Sequence, residues 1–317
     1  MSTVTIIVCT YNRAQSLART LLALLAQEGI AAYHPELVVI DNNSSDDTRA
    51  VVERIACEAA WPVRYVFEPR QGLCYARNRA ISESRGELLL FTDDDVRPEP
   101  AWASALAHAF AEHRADGVCG PVRPIWEVEP PTWARQFGGG VLAIVDYGEQ
   151  PFQIRDIKHL FVGANMAFRR EIFASLGAFR VDLGPNVTMP LRGDDTEFFE
   201  RALAAGRTLV YEPRAAVHHH VLRGRLTRRY FRQWHYWSGY STALYHTPER
   251  DSARTLFGMP AWAVREALVT GGRAVAAYVT GQSLRAFEQE LRFWVQIGFA
   301  RALGNLACRQ TMHATEA

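Results

Sequence analysis

The sequence predicts an α/β protein: a Rossmann-like, mostly parallel central sheet with flanking helices, followed by a helical C-terminal extension. Three observations carry this. Short β-branched apolar runs alternate with helical patterns through the first half of the chain, as in β-α-β units. Those runs are nearly continuous in apolar residues, which suits strands covered on both faces. From about residue 225 the strand pattern stops and helix-spaced stretches take over.

In chain order, VTIIVCT (residues 4–10) reads as the first strand, and SLARTLLALLAQ (16–27) has helical spacing. ELVVIDN (36–42) is the second strand. SDDTRAVVERIACEA (45–59) is a helix opened by Ser, Asp and Thr, whose side chains can satisfy the free N–H groups of a first turn. VRYVFE (63–68), LCYARNRAISES (73–84), ELLLFTD (87–93) and PAWASALAHAFAEH (100–113) continue as strand, helix, strand and helix, and GVCGPV (117–122) is a short strand. Residues 123–160, with PPTW and FGGG, read as irregular and suit a mobile loop. LFVGANMAFRR (160–170) is a strand running into a short helix. DDTEFFERALAAG (194–206) is a helix opened by an acidic pair, and RTLVYEP (207–213) is a strand, followed by AVHHHV. LTRRYFRQWHYWSGYSTALYH (226–246), WAVREALVTGGRAVAAYVTG (262–281) and LRAFEQELRFWVQIGFARALG (284–304) are helical.

The 317 residues are 48% hydrophobic and 22% charged, ordinary for a soluble enzyme. No run of about 18 uncharged apolar residues exists, so no membrane-spanning helix is expected. The best candidate, 255–281, is interrupted by Arg265, Glu266 and Arg273. MSTVTIIVCTYNR lacks the basic and apolar regions of a secretory signal. Cys9, Cys57, Cys74, Cys119 and Cys308 are odd in number and never in C-x-x-C spacing. That suits reduced thiols in a cytosolic protein and argues against a zinc site. The net charge of +1 hides an asymmetry: residues 1–220 carry 22 Lys and Arg against 28 Asp and Glu, and residues 221–317 carry 13 Arg against 6 Asp and Glu. The acidic part suits holding a cation, and the basic part suits an anionic surface.

In open α/β sheets, ligands bind outside the carboxyl ends of the strands. Those ends read CTYNR, IDNNSSD, EPRQG and TDDD, all polar, and a parallel sheet makes them converge. In TDDD, each pair of carboxylates about 5 Å apart costs roughly 3 kcal/mol at an effective dielectric of about 20, unless a cation or tight hydration offsets it. Strand alternation turns Asp93 and Asp95 to one face. Two hard oxygen ligands there suit Mg2+ or Mn2+ together with a substrate diphosphate. A solvated acidic turn ahead of a helix is the other reading.

VTIIVCTYNR, LVVIDNNSSDDT, GLCYARNRAI, LLLFTDDDVRP, GANMAFRR and GDDTEFFERALAAG stand in an order that resembles family 2 glycosyltransferases of the GT-A fold, over about residues 3–220. The resemblance implies site residues position by position. Thr10, Tyr11 and Asn12, with Arg13 beside them, match the segment around the nucleotide base and ribose. Asp41 matches the acid that meets a uracil-like base N–H; a helix-capping turn residue is the bland alternative. Gly72 permits close backbone approach, and Arg77 matches a diphosphate partner, with Arg70 and Arg79 as competitors. Asp93 matches a ribose or metal contact and Asp95 a metal ligand, while Asp94 falls among the donor-binding positions without a partner of its own. Asp195 matches the general base of inverting members. Asp194 stands where the family commonly has Glu, which leaves its contacts in the sugar or acceptor pocket in doubt. His219 fits the metal-binding register P-x-A-x-V-x-H through Pro213, Ala215 and Val217, with His218 and His220 beside it. Asn165 matches a position lining the sugar or acceptor pocket, or else a turn residue. Trp126 and Trp133 suit sugar stacking.

The implied activity is inverting, metal-dependent transfer of a hexose from a UDP- or dTDP-sugar to a glycan, lipid-linked or small-molecule secondary-metabolite acceptor, with Mn2+ or Mg2+ as cofactor. Residues 1–222 are expected to bind nucleotide-sugar and carry catalysis, and 223–317 to form a helical extension. There Arg228, Arg229 and Arg232 interleave with Tyr230, Phe231, Trp234, Tyr236 and Trp237. Such a helix suits peripheral contact with the inner face of a membrane, or equally packing with aromatics inward and arginines in water. Nucleic acid is not an expected partner, because the catalytic half is acidic. Two rivals remain: a non-catalytic sugar-nucleotide binder, and a sugar-phosphate nucleotidyltransferase, which would want a basic Gly-rich loop where TYNR stands.

Overall fold

Thirteen of the first stretches to form regular structure are laid down in chain order as β1 Val4–Thr10, α1 Ala14–Leu25, β2 Glu36–Asp41, α2 Thr48–Glu58, β3 Val63–Phe67, α3 Leu73–Glu83, β4 Leu88–Asp93, β5 Val96–Pro98, α4 Trp102–Glu112, β6 Gly117–Cys119, β7 Val122–Trp126, α5 Thr132–Phe137 and β8 Phe152–Ile154. They are followed by β9 Asn165–Arg169, α6 Arg170–Leu176, α7 Asp194–Ala204, β10 Leu209–Tyr211, β11 Val217–Val221, α8 Arg228–Tyr245, α9 Ala261–Val279 and α10 Ser283–Thr315. The computed structural model describes residues 2–246, 255–256 and 259–315, with side chains in α10 as far as Leu306. Two compact units are formed. One comprises Met1–Glu127, Ala143–Val187 and Asp194–Val221; the other comprises Val128–Leu142, Thr188–Gly193 and Leu222–Ala317.

In the first unit, an eight-stranded sheet runs in the order β3-β2-β1-β4-β9-β6-β10-β8. Its two faces explain the unbroken apolar strands. Val4, Ile6, Val8, Leu37, Val39, Leu88 and Leu90 lie in one core with residues of α1, α2 and α4. Their neighbours Ile7, Val38, Ile40, Leu89 and Phe91 lie in the other, with residues of α3, α6 and α7. Alternate side chains therefore enter two different cores, and the few polar residues inside the strands are hydrogen-bonded, as Thr5 is to Glu36 at 2.7 Å.

Two elements differ from expectation. β9 pairs antiparallel with both β4 and β6, so the sheet is mostly but not wholly parallel. A helix packed on the sheet as a crossover returns a chain parallel; the link into β9 is of another kind. What precedes it is 123–160, which is not irregular throughout: it holds most of β7, then α5 and β8. Second, β4 stops at Asp93, and Asp94 and Asp95 form the turn into β5. Alternation, which assumed a strand through the whole acidic run, does not reach them.

A small device occurs twice. Glu68-Pro69-Arg70 follows β3, and Glu212-Pro213-Arg214 follows β10. Each glutamate is buried and accepts the backbone N–H of the arginine two residues on, at 3.0 and 2.9 Å. Each also takes that arginine's guanidinium on both oxygens, with Nε–Oε1 at 2.8 Å in both cases. Bidentate pairing of this kind holds a carboxylate in low dielectric. The arginine lowers the pKa of Glu68, and in Glu212 it outweighs burial, which pushes the other way.

In the second unit, α8 and α10 meet backbone to backbone. A Cβ on Gly239 would stand 1.9 Å from the Val295 carbonyl oxygen, and one on Gly298 would stand 1.9 Å from that of Tyr236. Trp133 of α5 packs edge-on against Phe231 and Phe287, with ring centroids 5.0 and 5.2 Å away, so the expected sugar-stacking ring is part of an aromatic cluster. Phe231 is fully buried, and Tyr230, Trp234, Tyr236 and Trp237 are all half-buried. Arg232 meets Glu290 with both nitrogens, at 2.6 and 3.2 Å. The aromatics of α8 are thus partly covered by the bundle.

Candidate active site at the strand ends

Parallel register aligns the carboxyl ends of the strands. Thr10 pairs with Asp41, Asp41 with Phe67, and Cys9 with Asp93. The loops that leave these ends are braced across one another. Asn12 takes a left-handed backbone (φ 52°) and accepts the Ser45 N–H at 2.7 Å, while its own N–H donates to Ser44 Oγ at 2.9 Å. Asp46 accepts the Ala14 N–H at 3.0 Å and so serves the free first turn of α1 from a distant loop. Asp41 accepts from Tyr65 Oη at 2.7 Å and from the Ser44 N–H at 2.8 Å. Burial and this bond raise the Tyr65 pKa. Gly72 sits at φ 139°, open to glycine, and donates its N–H to Asn42 Oδ1 at 2.9 Å.

The three aspartates differ in their surroundings, although two of them share Arg13. Asp94, which the sequence left without a partner, accepts Thr10 Oγ1 at 2.7 Å and Arg13 Nη1 at 3.0 Å. Asp95 accepts the same Arg13 nitrogen at 2.8 Å and stands 3.5 Å from His219 Nε2. Burial, with Asp95 nearby, raises the pKa of Asp93; burial pushes Asp94 up to about 6 despite Arg13. The Arg13 guanidinium loses solvation but gains more from Asp94 and Asp95, so its pKa rises. Among the described residues, no three His, Cys, Asp or Glu side chains form a metal cluster by themselves. One carboxylate and one imidazole from the protein, completed by substrate oxygens, still match the way Mg2+ and Mn2+ are commonly held. His219 is buried on β11, whereas His218, on the other face of that strand, meets Glu99 at 2.5 Å.

The second half of the site comes from the start of α7. Asp194 is buried and ion-paired with buried Arg77. Arg77 is thus engaged inward, although the sequence suggested a diphosphate partner. Asp195 accepts the Gly163 N–H on Oδ2 at 2.9 Å and the Thr196 N–H on Oδ1 at 2.8 Å. Gly163 belongs to a loop tied to β4 by Thr92 Oγ1, which donates to the Ala164 carbonyl at 2.8 Å. The Thr of TDDD therefore positions the loop that holds Asp195. Arg77 links the halves: burial opposes its charge, but Asp194, Asp195 and Asp93 all favour it, and its pKa is raised.

Residues 5–177 match the family described as Glycosyl transferase family 2. The chain belongs to that family. This glycosyltransferase is 32% identical, over 71% of both chains, to the succinoglycan biosynthesis protein ExoM of Rhizobium meliloti. It is 24% identical, over 75% of both, to the glucosyl-dolichyl phosphate glucuronosyltransferase of Haloferax volcanii. Its fold is similar to that of the mannosyltransferase PcManGT from Pyrobaculum calidifontis, solved with GDP-Man and Mn2+, at TM-score 0.65 and 20% identity, covering 95% of this chain and 87% of that one. The fold is therefore GT-A-like, with a C-terminal helical region.

Two more residues of the glycosyltransferase were expected at the sugar or acceptor pocket. Asn165 has no exposed surface: its amide donates to the Pro121 and Ala215 carbonyls at 3.0 and 2.7 Å, and its oxygen accepts Trp102 Nε1 at 2.8 Å. It braces the core and lines no surface in this structure. Trp126 is half-buried at the end of β7, next to Val221 of β11. Gly163 and Tyr65 were missed. The V-G-A-N run offered a signal for Gly163, because a glycine just before a strand marks close backbone approach.

Proposed function

We propose that this glycosyltransferase moves a hexose from a UDP- or dTDP-activated donor to a hydroxyl of a glycan, lipid-linked or secondary-metabolite acceptor, with inversion and with Mn2+ or Mg2+. The observation that supports this best is that Asp195 accepts the N–H of Gly163, in the loop that Thr92 beside the three aspartates ties to β4. It brings the start of α7 to the acidic end of β4, where a base and a cation serve one displacement.

In this reading the Thr10–Arg13 turn and Asp41 hold the nucleoside, Gly72 lets the backbone approach it, and Asp93 and Asp94 meet the donor. Asp95 and His219 hold the cation, which when bound neutralises the leaving diphosphate. Asp195 takes the proton of the acceptor hydroxyl as its oxygen bonds to the anomeric carbon and the bond to the diphosphate breaks. The Gly163 and Thr196 N–H groups fix the orientation of Asp195. Arg77 and Asp194 keep the start of α7 at the right distance, with Asp194 bordering the acceptor pocket. Residues 1–222 carry this chemistry, and 223–317 serve the acceptor side.

The test is release of UDP or dTDP from a panel of donor sugars with and without Mn2+, in wild type, Asp95→Asn and Asp195→Asn. Both variants should fold and lose turnover. Turnover retained in either removes the role given to it. Nucleotide binding without release from any donor would instead favour a non-catalytic binder.

A further inference from the structure

We infer that α9 is an interfacial helix that lies along an anionic lipid surface, with its apolar side outward. The helix is built inside out. Its buried residues are Ala263, Ala267, Thr270, Ala274 and Ala277, all small. Its large aliphatic residues face away: Leu268 is 71% exposed, Val275 63% and Val279 82%. A water-facing helix of a globular protein shows the reverse pattern. Leu268, Val275 and Val279 follow at helical spacing along one line, with Gly272 and Ala276 filling the stripe between them.

The charges choose the occupant. Arg265 and Arg273 are exposed on α9, and Glu266 is its one acid. Two exposed arginines against one acid on α9 complement anionic headgroups. A twofold pairing of α9 with a second copy would instead set arginines against arginines. No helix among the described residues is long and apolar enough to cross a membrane, so α9 lies along the surface. On the basic aromatic helix α8, for which sequence left membrane contact and inward packing open, Phe231 is fully buried and the other rings are half-buried.

The inference rests on α9 alone and holds whatever the donor is. The experiment is co-sedimentation of the full chain with vesicles of phosphatidylcholine, with or without about one third phosphatidylglycerol. Wild type should pellet with the anionic vesicles. Leu268→Gln/Val275→Gln/Val279→Gln should need about tenfold more lipid for half-binding, and Arg265→Gln/Arg273→Gln should lose the preference for the anionic lipid. Wild type left in the supernatant, undiminished binding by the triple variant, or a dimer broken by that variant with no pelleting would each overturn it. Nucleotide release without vesicles should be equal in wild type and the triple variant. Loss of release in both would count against the proposed reaction and leave the lipid contact standing.

Discussion

Arg77→Met is the most informative single change to the catalytic unit. The side chains of Arg77 and Asp194 are only 5% and 6% exposed. Met fills most of the aliphatic volume, so little cavity forms, and what is lost is charge. Asp194 is then left buried without its cation, and the carboxylates of Asp195 and Asp93 lose the charge that favours them. Breaking a buried pair from one side costs about 3–5 kcal/mol. Arg77→Met/Asp194→Leu removes both charges and should recover a large part of that, giving a coupling of about 2 kcal/mol or more. Urea unfolding at neutral pH, followed by far-UV circular dichroism, measures all four corners of the cycle. A loss below about 1 kcal/mol for Arg77→Met, or strictly additive effects, would refute the view that this pair is desolvated and mutually dependent.

Gly163→Ala should cut turnover by about tenfold or more and lower the melting temperature, because its Cβ would crowd Arg77 Nη2 in its buried pair and stand 3.4 Å from Asp195 Oδ2; normal turnover would show that the loop yields. Asn165→Ala should destabilise the fold by about 2–4 kcal/mol, since it orphans Trp102 Nε1 and two buried carbonyls; chemical denaturation measures it. Glu68 and Glu212 have folded pKa values below the ordinary 4.5, so their contribution is present above 4.5 and fades as pH falls through the lowered values. Glu68→Gln/Glu212→Gln should therefore flatten the acid limb of the melting-temperature curve, and an unchanged limb would count against the clasps.

Much of the site could be read from TYNR, IDNNSSD and TDDD because the strands that carry them are parallel and in register, so their ends meet. Strand direction is not written in apolar content, which is why the antiparallel β9 escaped. Asp94 lacked a partner on paper because alternation was carried one turn too far; once the strand stops at Asp93, Thr10 and Arg13 are within reach. The Arg77–Asp194 pair joins residues far apart in the chain, and no local pattern announces it. Asn165 looked like a pocket residue because a buried amide with three partners and an exposed one read the same in a single sequence. Aromatic content left α8 open between a membrane face and inward packing, whereas the alanine spacing of α9 marks which side of that helix is inside.

The seam between α8 and α10 limits how this chain can change. At Gly239 the atom in the way is the carbonyl of Val295, and at Gly298 it is that of Tyr236. Neither obstacle is a side chain. A larger residue at either place cannot be rescued by trimming a neighbour, because every residue type brings the same carbonyl. The only relief is to move a whole helix axis, which disturbs every contact along it at once. Selection for second-site suppressors of Gly239→Val should therefore return revertants to glycine or substitutions spread along the helix, and not a compensating partner at position 295.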